Sequence, residues 1–80
     1  MKNIINITKI IKSPKVIIIK EFKEIDNVIK QISTDQPVIV NVLNLPSNVA
    51  FRIIDFLSGY VFALNGKSKK IDDLIYRFEI

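Results

Sequence analysis

The chain has no cysteine, no histidine and no tryptophan, and only two glycines and three prolines among its 80 residues. Without cysteine there is neither a disulfide framework nor a thiolate metal site, and the redox compartment leaves no mark on the sequence. Without histidine the commonest metal ligand is missing, and so is the ordinary base that activates a serine; no lysine stands in a Ser-x-x-Lys setting either. Two glycines cannot build a phosphate-cradling loop of the Walker or dinucleotide type. Catalytic residues, metal ligands and cofactors are therefore not expected, and the chain reads as a non-enzyme. No apolar run approaches the ~20 residues that span a bilayer. No long apolar block leads to a small-residue cleavage site, so the protein is expected to face the cytoplasm.

What the chain does have is core-forming material. Hydrophobic residues make up 49% of it, too many for a disordered segment. A domain of this size buries only ~60% of the surface its unfolded chain exposes, so it is marginal alone, and dimerisation would bury the surplus. The formal net charge is +4, and it is unevenly spread: Lys2, Lys9, Lys12, Lys15, Lys20 and Lys23 face only Glu21 at the amino-terminal end. A basic lead favours an anionic lipid surface or a nucleic acid, and charge alone does not choose between them.

Residues 1–13 form this lead segment. Read as a helix, Ile4, Ile7, Ile10 and Ile11 share one side and Lys2, Lys9 and Lys12 the other, with Ile5 out of place, which is an interfacial amphipathic pattern. Read as an edge strand, the same isoleucines are β-branched residues in a stretch too short to hold a helix in water. Ser13-Pro14 marks the break before a core domain over residues 14–80.

Val16-Ile17-Ile18-Ile19 is a continuous β-branched run, as expected of a strand covered on both faces or buried at an interface. Ile25, Val28, Ile29 and Ile32 repeat at helical spacing and predict a helix from about Glu24 to Ser33, stopped at Thr34-Asp35-Gln36-Pro37. Val38 to Val42 is a second strand, and strand, short helix and strand predict a parallel pair. Asn44 to Asn48 supplies turn and capping chemistry for a long helix to about Leu64, which Asn65-Gly66 ends. Two short strands follow, with Asp72-Asp73 as their turn. On a strand these two carboxylates would point to opposite faces, so a solvated turn outweighs a metal site. The expected fold is an α/β (α+β) two-layer sandwich, a small mixed sheet covered by two helices in the order β-α-β-α-β-β, and homodimeric.

The long helix carries more apolar surface than one sheet covers. Val49, Ala50, Ile53, Ile54, Phe56, Leu57, Tyr60, Val61 and Leu64 fill the arc expected to face the sheet. On the opposite arc stand Phe51, Phe62 and Ser58, flanked by Arg52, Asp55 and Gly59. Two phenylalanines beside small residues suggest a surface that a second chain approaches closely. A glycine inside a helix costs about 1 kcal/mol relative to alanine, so Gly59 invites a packing reason. Arg52 and Asp55 stand at i, i+3 and could pair, for ~0.2–0.5 kcal/mol if exposed.

Pro-Val-Ile-Val-Asn at 37–41, Arg-Ile-Ile-Asp-Phe-Leu-Ser-Gly at 52–59, then Ala63, Gly66, Lys69, Lys70 and Ile71, resemble the core domain of the SepF family of bacterial cell-division proteins, in order and spacing over most of residues 14–78. The resemblance implies a non-enzymatic adaptor that dimerises, assembles further, binds the tail of the tubulin-like protein FtsZ and tethers it to the membrane at the division site. It tips residues 1–13 toward the membrane, with Lys2, Ile4, Ile7, Lys9, Ile10, Ile11 and Lys12 as contacts. It also places the 52–59 motif at the subunit contact, so the candidate dimer or partner residues are Phe51, Arg52, Asp55, Phe56, Ser58, Gly59 and Phe62. The competing reading is a basic α/β dimer that binds nucleic acid, as Alba-like proteins do, with Lys67, Lys69 and Lys70 on phosphates. Against it, the aromatic residues lie mainly in the long helix rather than on strands, where stacking platforms sit.

Overall fold

The fold comes from a computed structural model that describes residues 13–32 and 36–80. The lead segment with its proposed membrane contacts Lys2, Ile4, Ile7, Lys9, Ile10, Ile11 and Lys12, and the helix stop at Thr34-Asp35, lie outside the described residues.

β-Branched side chains after Pro14 favour extended backbone, and strand β1 runs Lys15–Ile18. It pairs in parallel with β2, Val38–Asn41, from Lys15 opposite Val38 to Ile18 opposite Asn41. Between them comes a 3-10 turn, Phe22–Glu24, and helix α1, Ile25–Ile32. The turn is fixed by Glu24: its N–H donates to the Glu21 carbonyl at 3.1 Å, and its Oε1 accepts the Lys20 N–H at 3.0 Å. That exchange satisfies two backbone donors before the helix begins, and α1 starts at Ile25, the first residue of its apolar repeat.

After β2 the chain turns at once, because Asn41 Oδ1 accepts the Leu43 N–H at 2.9 Å, an Asx turn. Helix α2, Ser47–Ala63, then begins behind Pro46, whose carbonyl accepts the Ala50 N–H at 2.9 Å. At the far end the Asn65 N–H bonds to the Phe62 carbonyl at 3.0 Å and the Gly66 N–H to the Val61 carbonyl at 2.8 Å. This is a Schellman cap, and Asn65 supplies its left-handed residue at φ 62°. Gly66 is needed for a different reason. A Cβ there would fall on the Glu79 carbonyl oxygen and within 2.6 Å of Val61 Cγ1.

Strands β3, Lys67–Asp72, and β4, Ile75–Glu79, form an antiparallel hairpin with an irregularity between Lys70 and Asp72. β4 also pairs antiparallel with β2, giving a mixed four-stranded sheet in the order β1-β2-β4-β3. One cluster joins Ile25, Val28 and Ile32 of α1, Ala50, Ile53, Ile54, Leu57 and Val61 of α2, and Val38, Val40 and Phe78 of the sheet. Since strand residues alternate in facing, both helices cover the same side of the sheet. The expected small mixed sheet with two helices is present.

Three local expectations are corrected. Of the two settings expected for β1, cover on both faces is not met among the described residues, where Val16 is 62% and Ile18 49% exposed, and burial at an interface is the one left. Phe56 and Leu64 do not reach the core and stand half exposed, because the buried stripe of α2 is narrower than its apolar arc. Arg52 and Asp55 form no ion pair among the described residues. The Arg52 guanidinium carbon lies instead 5.9 Å from the centroid of the Phe22 ring, a cation–π contact across two elements.

Candidate interaction surface

Helix α2 is held to the sheet by Ala50, Ile53, Ile54, Leu57 and Val61, all buried. At 100° per residue this places Gly59 opposite the buried side, with Asp55, Phe62 and Phe51 on one flank of it, Arg52 and Phe56 on the other, and Ser58 at the edge of the buried stripe. Phe51 is 52% and Phe62 80% exposed. Between them the backbone is uncovered: a Cβ on Gly59 would meet no atom within 4 Å. No contact among the described residues therefore requires a glycine at this position.

Arg52 and Phe56 stand one turn apart on the flank of the stripe that faces the 3-10 turn. There Phe22, itself 47% exposed, lies beneath the guanidinium. All seven candidate contact residues, Phe51, Arg52, Asp55, Phe56, Ser58, Gly59 and Phe62, thus lie on the outer half of one helix, and Ser58 alone among them is half-buried. Phe22 is an addition to this set. Its signal in the sequence was a lone aromatic inside the charged run Lys20 to Glu24, where a solvated turn has no use for a phenyl ring.

The two carboxylates of the β3–β4 turn do separate work. Asp72 Oδ1 accepts the Asp73 N–H at 2.8 Å, while Asp73 pairs with Lys70 Nζ at 3.2 Å. The hydrogen bond to Asp73, and then its charge, raise the Lys70 pKa above the ordinary value of 10.5. The strand aromatics turn away from solvent: Phe78 is fully buried and stacks with Tyr76 at 6.2 Å, both against the helices. A strand-borne stacking platform for nucleic-acid bases is accordingly not formed by these two rings. Among the described residues no group of three or more Asp, Glu, His or Cys side chains could hold a metal ion, and no helix is long and apolar enough to cross a membrane.

The fold defines a small α/β domain that exposes apolar side chains on the outside of a helix. Its sequence relationships show its family. The family model "Cell division protein SepF" matches residues 15–78, and the chain belongs to that family. It is 41% identical over 64 residues to the cell division protein SepF of Thermoanaerobacter sp. (strain X514), covering 78% of this chain and 47% of the relative. To the SepF of Desulfitobacterium hafniense (strain Y51) it is 36% identical over 69 residues, 84% of this chain and 46% of the relative. To that of Shouchella clausii (strain KSM-K16) it is 31% identical over 77 residues, 94% of this chain and 50% of the relative. The chain thus spans about half the length of these curated relatives. Membership of this family implies a role in cell division.

Proposed function

We propose that this protein is a non-enzymatic division adaptor, which dimerises through the outer face of α2, binds FtsZ and links its filaments to the inner face of the membrane at the division site. The observation that carries the reading is the exposure of Phe51 and Phe62 on the outside of α2, with Gly59, which has no side chain, near the second of them. A second α2 crossing at Gly59 could approach to the 8–10 Å typical of packed helices, since Gly59 itself carries no side chain. Full burial of an exposed phenylalanine is worth roughly 1.5–3 kcal/mol, so covering Phe62 contributes most of that and covering the half-buried Phe51 about half. Arg52, Asp55 and Phe56, with Phe22 beside them, form the rim of the resulting groove, a setting suited to an apolar peptide tail. Repetition of weak contacts along a filament supplies avidity that no single contact has.

Residues 1–13 carry the membrane role in this reading, with the isoleucines Ile4, Ile7, Ile10 and Ile11 inserted and Lys2, Lys9 and Lys12 at anionic headgroups. Each contact is weak, and only together do they hold a filament at a surface.

Co-sedimentation with FtsZ filaments and with anionic vesicles, run in parallel, tests the proposal. Phe51→Ser with Phe62→Ser should abolish sedimentation with FtsZ and spare the vesicles; replacing Ile7 and Ile10 by Asp should do the reverse. Wild-type protein that sediments with neither would contradict the function.

A further inference from the structure

Seven asparagines stand in the chain, and six of them, Asn3, Asn6, Asn27, Asn41, Asn44 and Asn48, are followed by isoleucine, valine or leucine. Asn65 alone precedes a glycine. The difference is chemical. A backbone nitrogen can attack the side-chain amide of the asparagine before it, and a branched side chain on the attacking residue crowds the ring that forms, whereas glycine has none. The same pair is where α2 hands over to β3, and the fold holds it in a form that does not react. Asn65 has φ 62°, the left-handed region, where ψ is about +47°. About the Cα–C bond this sets the Gly66 nitrogen nearly opposite the Asn65 Cβ, on the far side from the amide carbon it would attack. That nitrogen is also occupied: its N–H donates to the Val61 carbonyl at 2.8 Å, while the Asn65 N–H donates to the Phe62 carbonyl at 3.0 Å. Turning Gly66 toward the side chain breaks the first of these bonds and moves a residue seated against the Glu79 carbonyl and Val61. Asn65 itself is exposed, so water and hydroxide reach it.

We propose that Asn65 is a deamidation site that folding holds closed, so that it reacts with Gly66 only when the cap of α2 opens. Once released, the Gly66 N–H gives its proton to hydroxide, and the nitrogen attacks Asn65 Cγ. The N–Cγ bond forms, the Cγ–Nδ2 bond breaks, and ammonia leaves with a proton from water. Water then opens the five-membered succinimide at one of its two carbonyls. Opening at Cγ returns an ordinary peptide bond with aspartate at position 65; opening at the backbone carbonyl routes the main chain through the side chain and gives isoaspartate. In all, an amide and one water become a carboxylate and ammonia, and nothing is oxidised or reduced. The two products differ for the fold. Aspartate keeps the backbone and tolerates a left-handed φ, so it can restore the cap. Isoaspartate lengthens the main chain by a methylene, and the Gly66 N–H no longer falls on the Val61 carbonyl. The last turn of α2, which carries Phe62, and the start of β3 at Lys67 then lose their common anchor. Either product lowers the formal net charge of +4 by one, and sets its carboxylate at the C-terminus of α2, where the helix dipole opposes it. The inference concerns the joint and not the outer face of α2, so it stands apart from the preceding reading.

The test incubates the full chain in mildly alkaline buffer and, in parallel, in guanidinium chloride strong enough to unfold it. Peptide mapping by mass spectrometry then follows every asparagine and separates aspartate from isoaspartate at position 65. The unfolded chain should deamidate at Asn65 well ahead of the other six positions. The folded chain should do so at least about tenfold more slowly, as a reaction that waits on a local opening must. Ring closure and hydrogen exchange need the same N–H to be released, so the slowing should track the protection of the Gly66 amide against exchange. Asn65→Asp, which makes the aspartyl product directly, should melt close to wild type, and the purified isoaspartyl form should melt lower. Equal rates at Asn65 with and without denaturant would overturn the closed state. Faster deamidation of another asparagine in the unfolded chain would overturn the site, and an isoaspartyl form that melts with the wild type would overturn the consequence for the cap.

Discussion

Phe51 and Phe62 are three turns apart on α2 and leave it on the same side, away from the sheet, with Gly59 uncovered between them. Among the described residues both rings stand exposed, Phe62 more than Phe51. Contiguous exposed apolar surface is what marks an interaction site.

Phe62→Ser should therefore leave the monomer's stability within about 0.5 kcal/mol of wild type, as for other exposed positions. The same change should weaken self-association by tenfold or more, measured by sedimentation equilibrium. A drop in melting temperature comparable to that of a core variant such as Leu57→Ala, expected to cost about 2–5 kcal/mol, would place Phe62 in the fold instead.

Gly59→Ala isolates the backbone. Its new methyl meets no atom of the described residues within 4 Å, and alanine lowers the entropy of the unfolded chain, so the monomer should gain about 0.4–1 kcal/mol in urea unfolding at low concentration. A loss would mean that the domain itself needs the glycine.

Gly66 and Asn65 should behave oppositely to their usual reputations. Gly66→Ala drives a methyl into the Glu79 carbonyl and Val61, and should cost about 1–3 kcal/mol or more. Asn65→Gly should be neutral or slightly stabilising, whereas Asn65→Val, forced to φ 62°, should cost about 1–2 kcal/mol. Urea denaturation of the three variants checks the order.

The Lys70–Asp73 pair sets a pH expectation. A lysine whose folded pKa is raised contributes its stabilisation in full below the unfolded value of 10.5 and loses it as pH rises through the folded value. Lys70→Met should therefore shift the melting temperature by a constant, small amount from about pH 6 to pH 9, and the difference should vanish only in strong alkali.

Much of this architecture is legible in the sequence because its periodicities are clean. Val28 and Ile32 at helical spacing, and Val38 and Val40 in alternation, mark the core before any coordinates do. The misreadings share one cause, which is that a local pattern does not report how wide its cover is. Phe56 lies within the apolar arc of α2, yet the sheet and α1 reach only the narrower stripe of Ile53, Leu57 and Val61. Val16-Ile17-Ile18 reads alike for a strand covered on one face or two, and only the topology shows which side the helices cover. Arg52 has Asp55 at pairing distance along the helix, but Phe22, far away in sequence, takes the guanidinium. The exposed apolar residues of α2 were legible as an excess of hydrophobicity, whereas the place of Phe22 beneath Arg52 emerges only once the elements are packed against one another.

The most direct measurement of the central claim is sedimentation velocity of the full chain beside Gly59→Lys, from low to high micromolar concentration. A helix-to-helix contact at Gly59 predicts a dimer for the wild type and a folded monomer, with an unchanged circular dichroism spectrum, for the variant. A wild-type chain that stays monomeric across the range, or a variant that dimerises with equal affinity, contradicts it.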